Sequence, residues 1–329
     1  MTVNWSAFAE IVNSNQNFVL TSHIRPDCDA LGSELGMSGV LKALGKDVRI
    51  VNGQSTPENL AFIDPENEIK AIGVDVTEDQ LRDADVLMIL DTSAWAQLGP
   101  MAEVIKASSA RRIVVDHHMG EDDGIEKYEL FKNTSAEAAG RLVVEAADAL
   151  GVELTPEIAN PLFAAIATDT GWFRFGSAKG DTYRVAARLI DAGAVPPKIY
   201  GDLYEQDTEG RVRLRGLILS RTKTELNGRL AHTYVMAEDY AATGALPTDT
   251  EDVINMTMAI AGTEFATIMV GQQTGGYKLS FRSRCGVDCS QVAASFGGGG
   301  HKAAAGAFLN EPFESAQKKL LDTVRSAMA

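Results

Sequence analysis

Through the first half of the chain, short apolar runs of strand length alternate with the three-to-four spacing of amphipathic helices. Residues 18–20 read as a strand, 31–44 as a helix closed by Gly45, and 48–51 as a second strand. Further strands are expected at 69–72, 86–90 and 113–115, with helices around 78–82 and 101–108. This alternation predicts a mainly parallel sheet flanked by helices on both faces. From Ser135 the pattern turns helical, over 136–150 with a stop at Gly151, over 157–168, and over 181–192. Pro161 costs the second of these a hydrogen bond unless it lies in the first turn.

The Gly-Ala-Val-Pro-Pro segment at 193–197 is the clearest break, and the stretch to about 221 reads as a connecting helix. Its basic residues, Arg211, Arg213, Arg215, Arg221 and Lys223, follow acidic ones, which favours a connecting helix over a nucleic-acid arm. In the last third, 229–236, 265–272 and 277–282 suit strands, with Gly275-Gly276 as a hairpin turn. A glycine run at 297–300 then leads into His301 and an alanine-rich segment. The expected fold is α/β with two domains. The larger is a helix-flanked, mainly parallel sheet at 1–193, and 194–224 connects it to a smaller α/β domain with a mixed sheet at 225–329. The active site is expected in the cleft between them.

Composition narrows the function classes. At 329 residues the chain can bury a sizeable core, and 45% hydrophobic with 23% charged residues is ordinary for a globular protein. No apolar run nears the roughly 20 residues that span a bilayer, so no membrane partner is expected. The N-terminal residues lack a basic stretch followed by an apolar core, which argues against a secretory signal. Three cysteines without a zinc-type spacing fit a reducing, cytoplasmic setting. A net charge of −15 disfavours gripping long nucleic acid through its phosphates. A small charged substrate stays open, because cations bound among carboxylates reverse the local sign.

The candidate chemistry sits at strand ends. Asp116, His117 and His118 follow the apolar run at 113–115, and a carboxylate with two imidazoles there is costly unless a metal or anion uses them. His23, Asp27 and Asp29 share the loop between the first strand and helix, where open α/β sheets place ligands. Asp29 could equally cap that helix. Asp91 follows the run at 86–90, and Asp169 ends a helical pattern, where a negative charge calls for a compensating cation. Together these residues offer oxygen-rich donors with a minority of imidazoles. That suits two Mn²⁺ or Mg²⁺ ions better than a thiolate-bound zinc, in a phosphate-ester hydrolysis site. In the last third, Arg282 and Arg284 flank Ser283 on a predicted strand, which would give the two guanidinium groups one face. The amides of Gly298, Gly299 and Gly300 beside His301 and Lys302 suit phosphate binding better than an incidental loop.

These residues resemble the DHH phosphoesterase superfamily over nearly the whole chain. HIRPDCDALGS (23–33), LMILDTS (87–93), VVDHH (114–118) and ATDTGWFRF (167–175) look like its successive metal-site motifs. SFRSR (280–284) and FGGGGHKAAAG (296–306) resemble the DHH-associated C-terminal domain of the first type. Length and plan are similar to the NrnA-type nanoRNase/pAp phosphatases of that superfamily. The resemblance implies hydrolysis of short oligoribonucleotides and of 3′-phosphoadenosine 5′-phosphate by two-metal activation of water. It assigns His23, Asp27 and Asp91 to one ion, and Asp29, Asp91, His117 and Asp169 to the other, with Asp91 bridging. Asp116 would orient His117, and His118 would face the substrate. Arg282, Ser283, Arg284, the glycine amides and His301 would hold the rest of it. Cys28 stands where the family commonly has another small residue. Cyclic or linear dinucleotide hydrolysis is the competing activity, and a nucleotide-binding regulator the non-enzymatic one. An apolar face on the larger domain's helices could support a homodimer.

Overall fold

The computed structural model describes residues 3–119 and 128–329, and the chain divides into two compact units, Met1–Glu205 and Gln206–Ala329. The first unit opens with α1 (Trp5–Ser14), β1 (Asn17–Thr21), α2 (Cys28–Ala43), β2 (Asp47–Asn52), β3 (Ile69–Ala71) and β4 (Val86–Leu90). It continues with α3 (Met101–Ala107), β5 (Arg111–Asp116), β6 (Tyr128–Lys132), α4 (Ala139–Leu150), α5 (Pro156–Asp169), α6 (Gly180–Asp191) and α7 (Pro196–Tyr204). All six strands run parallel, in the order β3-β2-β1-β4-β5-β6. The order reverses beside β1, so β1 and β4 are neighbours and a crevice opens at their carboxyl ends.

Both faces of this sheet are covered, which is why its strands read as unbroken apolar runs. Phe18, Leu20, Met88, Leu90, Ile113 and Val115 face α1, α2, α4 and α5. Their chain neighbours Val19, Leu87, Ile89 and Val114 face α3 on the other side. The helix expected around 78–82 is a single 3₁₀ turn, Glu78–Leu81. Two further elements, α1 and the edge strand β6, were not foreseen.

α2 and α5 pack antiparallel at very short range because α2 turns three glycines toward α5. A Cβ on Gly32 would fall 2.3 Å from the Pro161 carbonyl oxygen, and one on Gly36 2.4 Å from Leu162. Pro161 therefore sits inside α5, past the first turn, at the closest approach to α2. The consequence for the site is direct, since this contact brings the start of α2 beside the end of α5. Gly32→Ala is expected to destabilise the protein by about 1–3 kcal/mol, as overpacked core sites do. A denaturant midpoint indistinguishable from wild type would contradict this close approach.

The second unit contains α8 (Glu209–Ser220), β7 (Lys223–Glu225), β8 (Leu230–Val235), α9 (Ala237–Thr243), α10 (Val253–Thr257) and β9 (Phe265–Gly271). β10 (Tyr277–Ser283), α11 (Cys289–Ala294), β11 (Gly299–Gly300), β12 (Ala304–Leu309) and α12 (Phe313–Met328) complete it. Its mixed sheet has the order β11-β12-β10-β9-β8-β7, with only β8 and β9 parallel. The stretch read as one connecting helix is two, α7 and α8, broken over residues 205–208.

Candidate metal centre

Three loops at the carboxyl ends of β1, β4 and β5, with the end of α5, converge in the first unit. Each residue is placed by ordinary backbone chemistry. Asp27 is the N-cap of α2 and accepts from the amides of Asp29 and Ala30 (2.9 and 3.1 Å). The capping role considered for Asp29 thus falls to Asp27 within α2. Asp29 serves a different helix. Its two oxygens accept from the first amides of α4, Ala139 at 2.7 Å and Gly140 at 2.9 Å. Ala138 has no side chain to do so, and these bonds start α4 at Ala139 rather than at 136.

Asp91 lies one residue past β4 in the left-handed region (φ 61°), a conformation aspartate tolerates better than most residues. It stands between two imidazoles held in the same way. His23 turns Nδ1 to the Ile24 carbonyl (3.0 Å), and His117 turns Nδ1 to the Ala136 carbonyl (3.3 Å). A carbonyl only accepts, so both Nδ1 atoms donate, and each Nε2 is the atom turned to the carboxylates. His23 Nε2 is 3.4 Å from Asp91 Oδ2. His117 Nε2 is 3.3 Å from Asp91 Oδ1, 3.5 Å from Asp29 Oδ2 and 3.8 Å from Asp169 Oδ2.

Three groups of side chains bring ligand atoms within 4.8 Å of one another; two of them, His23–Asp27–Asp91 and Asp29–His117–Asp169, share no residue and form the candidate triads, and the third is Asp91–His117–His118. Asp91 touches both triads through its two oxygens. Its Oδ1 is buried, with the His117 Nε2 at 3.3 Å and the His118 Nδ1 at 3.6 Å. A carboxylate oxygen buried among other carboxylates favours a nearby cation, and the residues fit a pair of oxygen-preferring divalent ions.

The electrostatics agree. Burial pulls the His23 and His117 imidazoles down, but the Asp91 hydrogen bonds and surrounding carboxylates carry both up to about 9. Burial raises Asp29 well above the usual carboxylate range, with the Asp91 charge adding to it. Asp169 is raised by burial too, and by the Asp91 and Asp27 charges. Asp91 is the exception. Burial would raise it, and its bonds to His117 and His23 bring it below the ordinary value. Cys28, buried against Asp27 and Asp29, has its thiol pushed up to about 12.

The remaining pair of the tripeptide behaves differently from expectation. Asp116 does not steady His117, whose Nδ1 partner is a backbone carbonyl. Asp116 instead accepts from His118, from Nδ1 at 2.9 Å and from the amide at 3.1 Å. β5 ends at Asp116, so strand alternation no longer governs the two histidines, and their rings lie 4.6 Å apart. Ser93 Oγ donates to Asp116 Oδ2 (2.8 Å), and Lys132 Nζ lies 2.9 Å from Ser93 Oγ and 3.2 Å from Asp116 Oδ2. Burial would raise Asp116, but these donors win and hold it well below the usual range. His118, bonded to that carboxylate, is raised. Its side chain is 56% exposed, and its Nε2 has no partner among the described residues. Ser93 and Lys132 were missed in the sequence. A hydroxyl two residues past Asp91 was a faint signal, and Lys132 gave none.

The substrate-contact candidates lie in the second unit. Arg282 is on β10, paired with Ala304 of β12, and its guanidinium donates to the Phe281 carbonyl (3.0 Å). Ser283 ends the strand, so Arg284 falls just beyond it and donates to the Met258 carbonyl (3.0 Å). The glycine run is an ordered hairpin rather than an open loop. Gly299 and Gly300 pair with β12, and His301 closes the turn against Ala304. A Cβ on Gly298 would sit 2.2 Å from the Gly306 carbonyl oxygen, and Gly300 adopts φ 145°. Both glycines are thus demanded by packing, while His301 remains exposed.

Over residues 17–166 the chain matches the N-terminal domain of the DHH family, and over 227–329 the DHHA1 domain. A Thermus thermophilus protein, the bifunctional oligoribonuclease and PAP phosphatase NrnA, is 32% identical over 310 residues, 94% of this chain and 89% of that protein. The chain belongs to the DHH phosphoesterase superfamily. Its enzyme class is that of the phosphoric ester hydrolases. The Bacillus subtilis protein of the same name is 25% identical, covering 88% of each chain. A crystal structure of an exopolyphosphatase-related protein from Bacteroides fragilis superposes with a TM-score of 0.80 at 25% identity, over 98% of this chain and 95% of that one. The two triads therefore lie within the DHH-family segment or, for Asp169, three residues past it. Among the described residues of this DHH protein, no helix is long and apolar enough to cross a membrane.

Proposed function

We propose that the protein hydrolyses short oligoribonucleotides and 3′-phosphoadenosine 5′-phosphate in the cytoplasm, using two divalent cations, Mn²⁺ in preference to Mg²⁺. The observation that carries this reading is Asp91, buried between two imidazole Nε2 atoms with one oxygen turned to each triad. His23, Asp27 and Asp91 would hold one cation, and Asp29, Asp91, His117 and Asp169 the other. Bound there, the cations would supply water activation and neutralise charge developing on the phosphoryl oxygens.

The chain's own residues do the rest. As water adds to phosphorus and the ester P–O bond breaks, the leaving oxygen needs a proton. His118 can deliver it from Nε2, because its Nδ1 is committed to Asp116 and its affinity for protons is raised. Arg282, Ser283, Arg284, His301 and the amides of Gly298, Gly299 and Gly300 form an anion-binding set for the substrate's other phosphates. The NrnA proteins named above act as oligoribonuclease and PAP phosphatase, which is the activity inferred for this chain.

The test is purified protein with Mn²⁺, offered labelled RNAs of two to ten nucleotides, 3′-phosphoadenosine 5′-phosphate and cyclic di-AMP. Initial rates should be highest on the shortest RNAs and on the bisphosphate, and should vanish with chelator. Preference for the cyclic dinucleotide would replace this reading, and binding without turnover would make the protein a nucleotide-binding regulator.

A further inference from the structure

The turn that follows Asp169 holds three aromatic rings that the metal triads do not use. Trp172 and Phe173 both adopt left-handed backbone (φ 56° and 62°), which points successive rings in different directions. Trp172 packs on Tyr200 and Tyr204, at centroid distances of 4.9 and 6.0 Å. Phe173 lies 5.4 Å from the Tyr183 ring, and the Tyr183 hydroxyl donates to the Phe173 carbonyl (3.2 Å). Phe175 has no ring neighbour among the described residues and is 55% exposed. Local contacts nevertheless seat it. Its amide donates to the Thr170 carbonyl (3.0 Å), and its ring tip lies over Gly171, where a Cβ would come within 2.5 Å of it. Gly171 is two residues from Asp169.

Charge beside this ring runs against that of the chain as a whole. Arg174 and Lys179 form no ion pair among the described residues, and the Arg174 guanidinium touches only the Gly171 carbonyl (2.6 Å). Their neighbours Arg184 and Arg188 are paired, with Asp181 and Asp148. In a protein of net charge −15, two cations without an ion pair among the described residues thus lie one and four positions along the chain from a half-exposed phenyl ring that rests on Gly171, next to a candidate phosphate-cleaving centre. Single-stranded nucleic acid is the partner with matching chemistry, since it offers flat bases and regularly spaced phosphates.

The geometry points to a base-stacking ledge, in which Phe175 takes the face of one base of a short single-stranded oligonucleotide while Arg174 and Lys179 hold the adjacent phosphate. This ledge rests on the hydrolytic reading above and names how the site retains oligonucleotides. A stacked base in such sites is worth roughly 1–3 kcal/mol, so Phe175→Ala should raise KM for a trinucleotide about tenfold, with the loss in KM rather than kcat. Phe175→Tyr should restore it.

Trinucleotides lacking one base, tested at each position in turn, separate stacking from a structural defect. For one position, the abasic substrate should lose the same factor on the wild type and lose nothing further on Phe175→Ala. Arg174→Ala with Lys179→Ala should flatten the salt dependence of KM. Equal KM for wild type and Phe175→Ala, or an equal loss on intact and abasic substrates, would overturn the ledge. Stopped-flow quenching of a 2-aminopurine trinucleotide, read before turnover, keeps the two readings apart. Wild-type quenching that Phe175→Ala abolishes, without any cleavage, would refute the hydrolytic reading and leave the ledge standing. Cleavage with equal quenching in both proteins would do the reverse.

Discussion

Asp91→Asn is expected to lower Mn²⁺-dependent hydrolysis by roughly a thousandfold or more, because losing a shared ligand removes several kcal/mol of charge stabilisation. The substitution is chosen to spare the fold. Asparagine keeps the volume, and its amide can donate to one Nε2 where the carboxylate could only accept. The two imidazoles stay anchored through their Nδ1 bonds to Ile24 and Ala136. What is lost is a charged oxygen for each triad at the same time. A second readout follows from linkage. Mn²⁺ at a hundred times its dissociation constant stabilises the folded state by about 2.7 kcal/mol, which corresponds to about 5–10 °C for a unit of this size. Wild type should show that rise and Asp91→Asn should lose most of it. Near-normal turnover in Asp91→Asn would eliminate a shared-ligand centre, and an undiminished thermal rise would show that the cations bind elsewhere.

How far the sequence could disclose this centre depended on whether a residue acts through its own neighbours in the chain or through the sheet. The strands carrying His23, Asp91 and Asp116 were legible because a parallel sheet covered on both faces makes each one an unbroken apolar run. Asp91 alone was a weak signal, since a single aspartate after a strand is usually a turn. Its place between two histidines comes from the strand order, which sets β1 against β4 and β4 against β5. β6 was invisible for the opposite reason. It is a half-exposed edge strand with Glu129 and Lys132 among its five residues, so it lacks an apolar run. Yet the parallel register sets Lys132 directly beside Asp116. The glycine run at 297–300 was read for its free amides, but the tight fit of Gly298 and Gly300 against β12 is a tertiary demand that local composition does not carry.

That hidden strand bears on the second large effect, in which Asp116→Asn should lower kcat by about 10²–10³-fold, the range expected when a positioned general acid is lost. In the wild type Asp116 can only accept, so it fixes the tautomer and plane of His118 and leaves Nε2 for the proposed proton transfer. Asparagine offers Ser93, Lys132 and His118 only one accepting oxygen for donors that now share two, and its amide nitrogen must face one of them. His118 also loses the charge that raises its proton affinity. The alkaline limb of the rate profile should therefore move to lower pH in the variant, a change that a loosened fold alone would not produce. Lys132→Met should have a smaller effect of the same kind. Its side chain is only 11% exposed, and removing it leaves the fully buried Asp116 charge with Ser93 and His118 alone. Mn²⁺-induced stabilisation should survive both substitutions, because neither residue belongs to a triad. If Asp116→Asn abolished the Mn²⁺ thermal rise while leaving the pH profile in place, Asp116 would be serving the metal centre after all, and His118 would lose its role as proton donor.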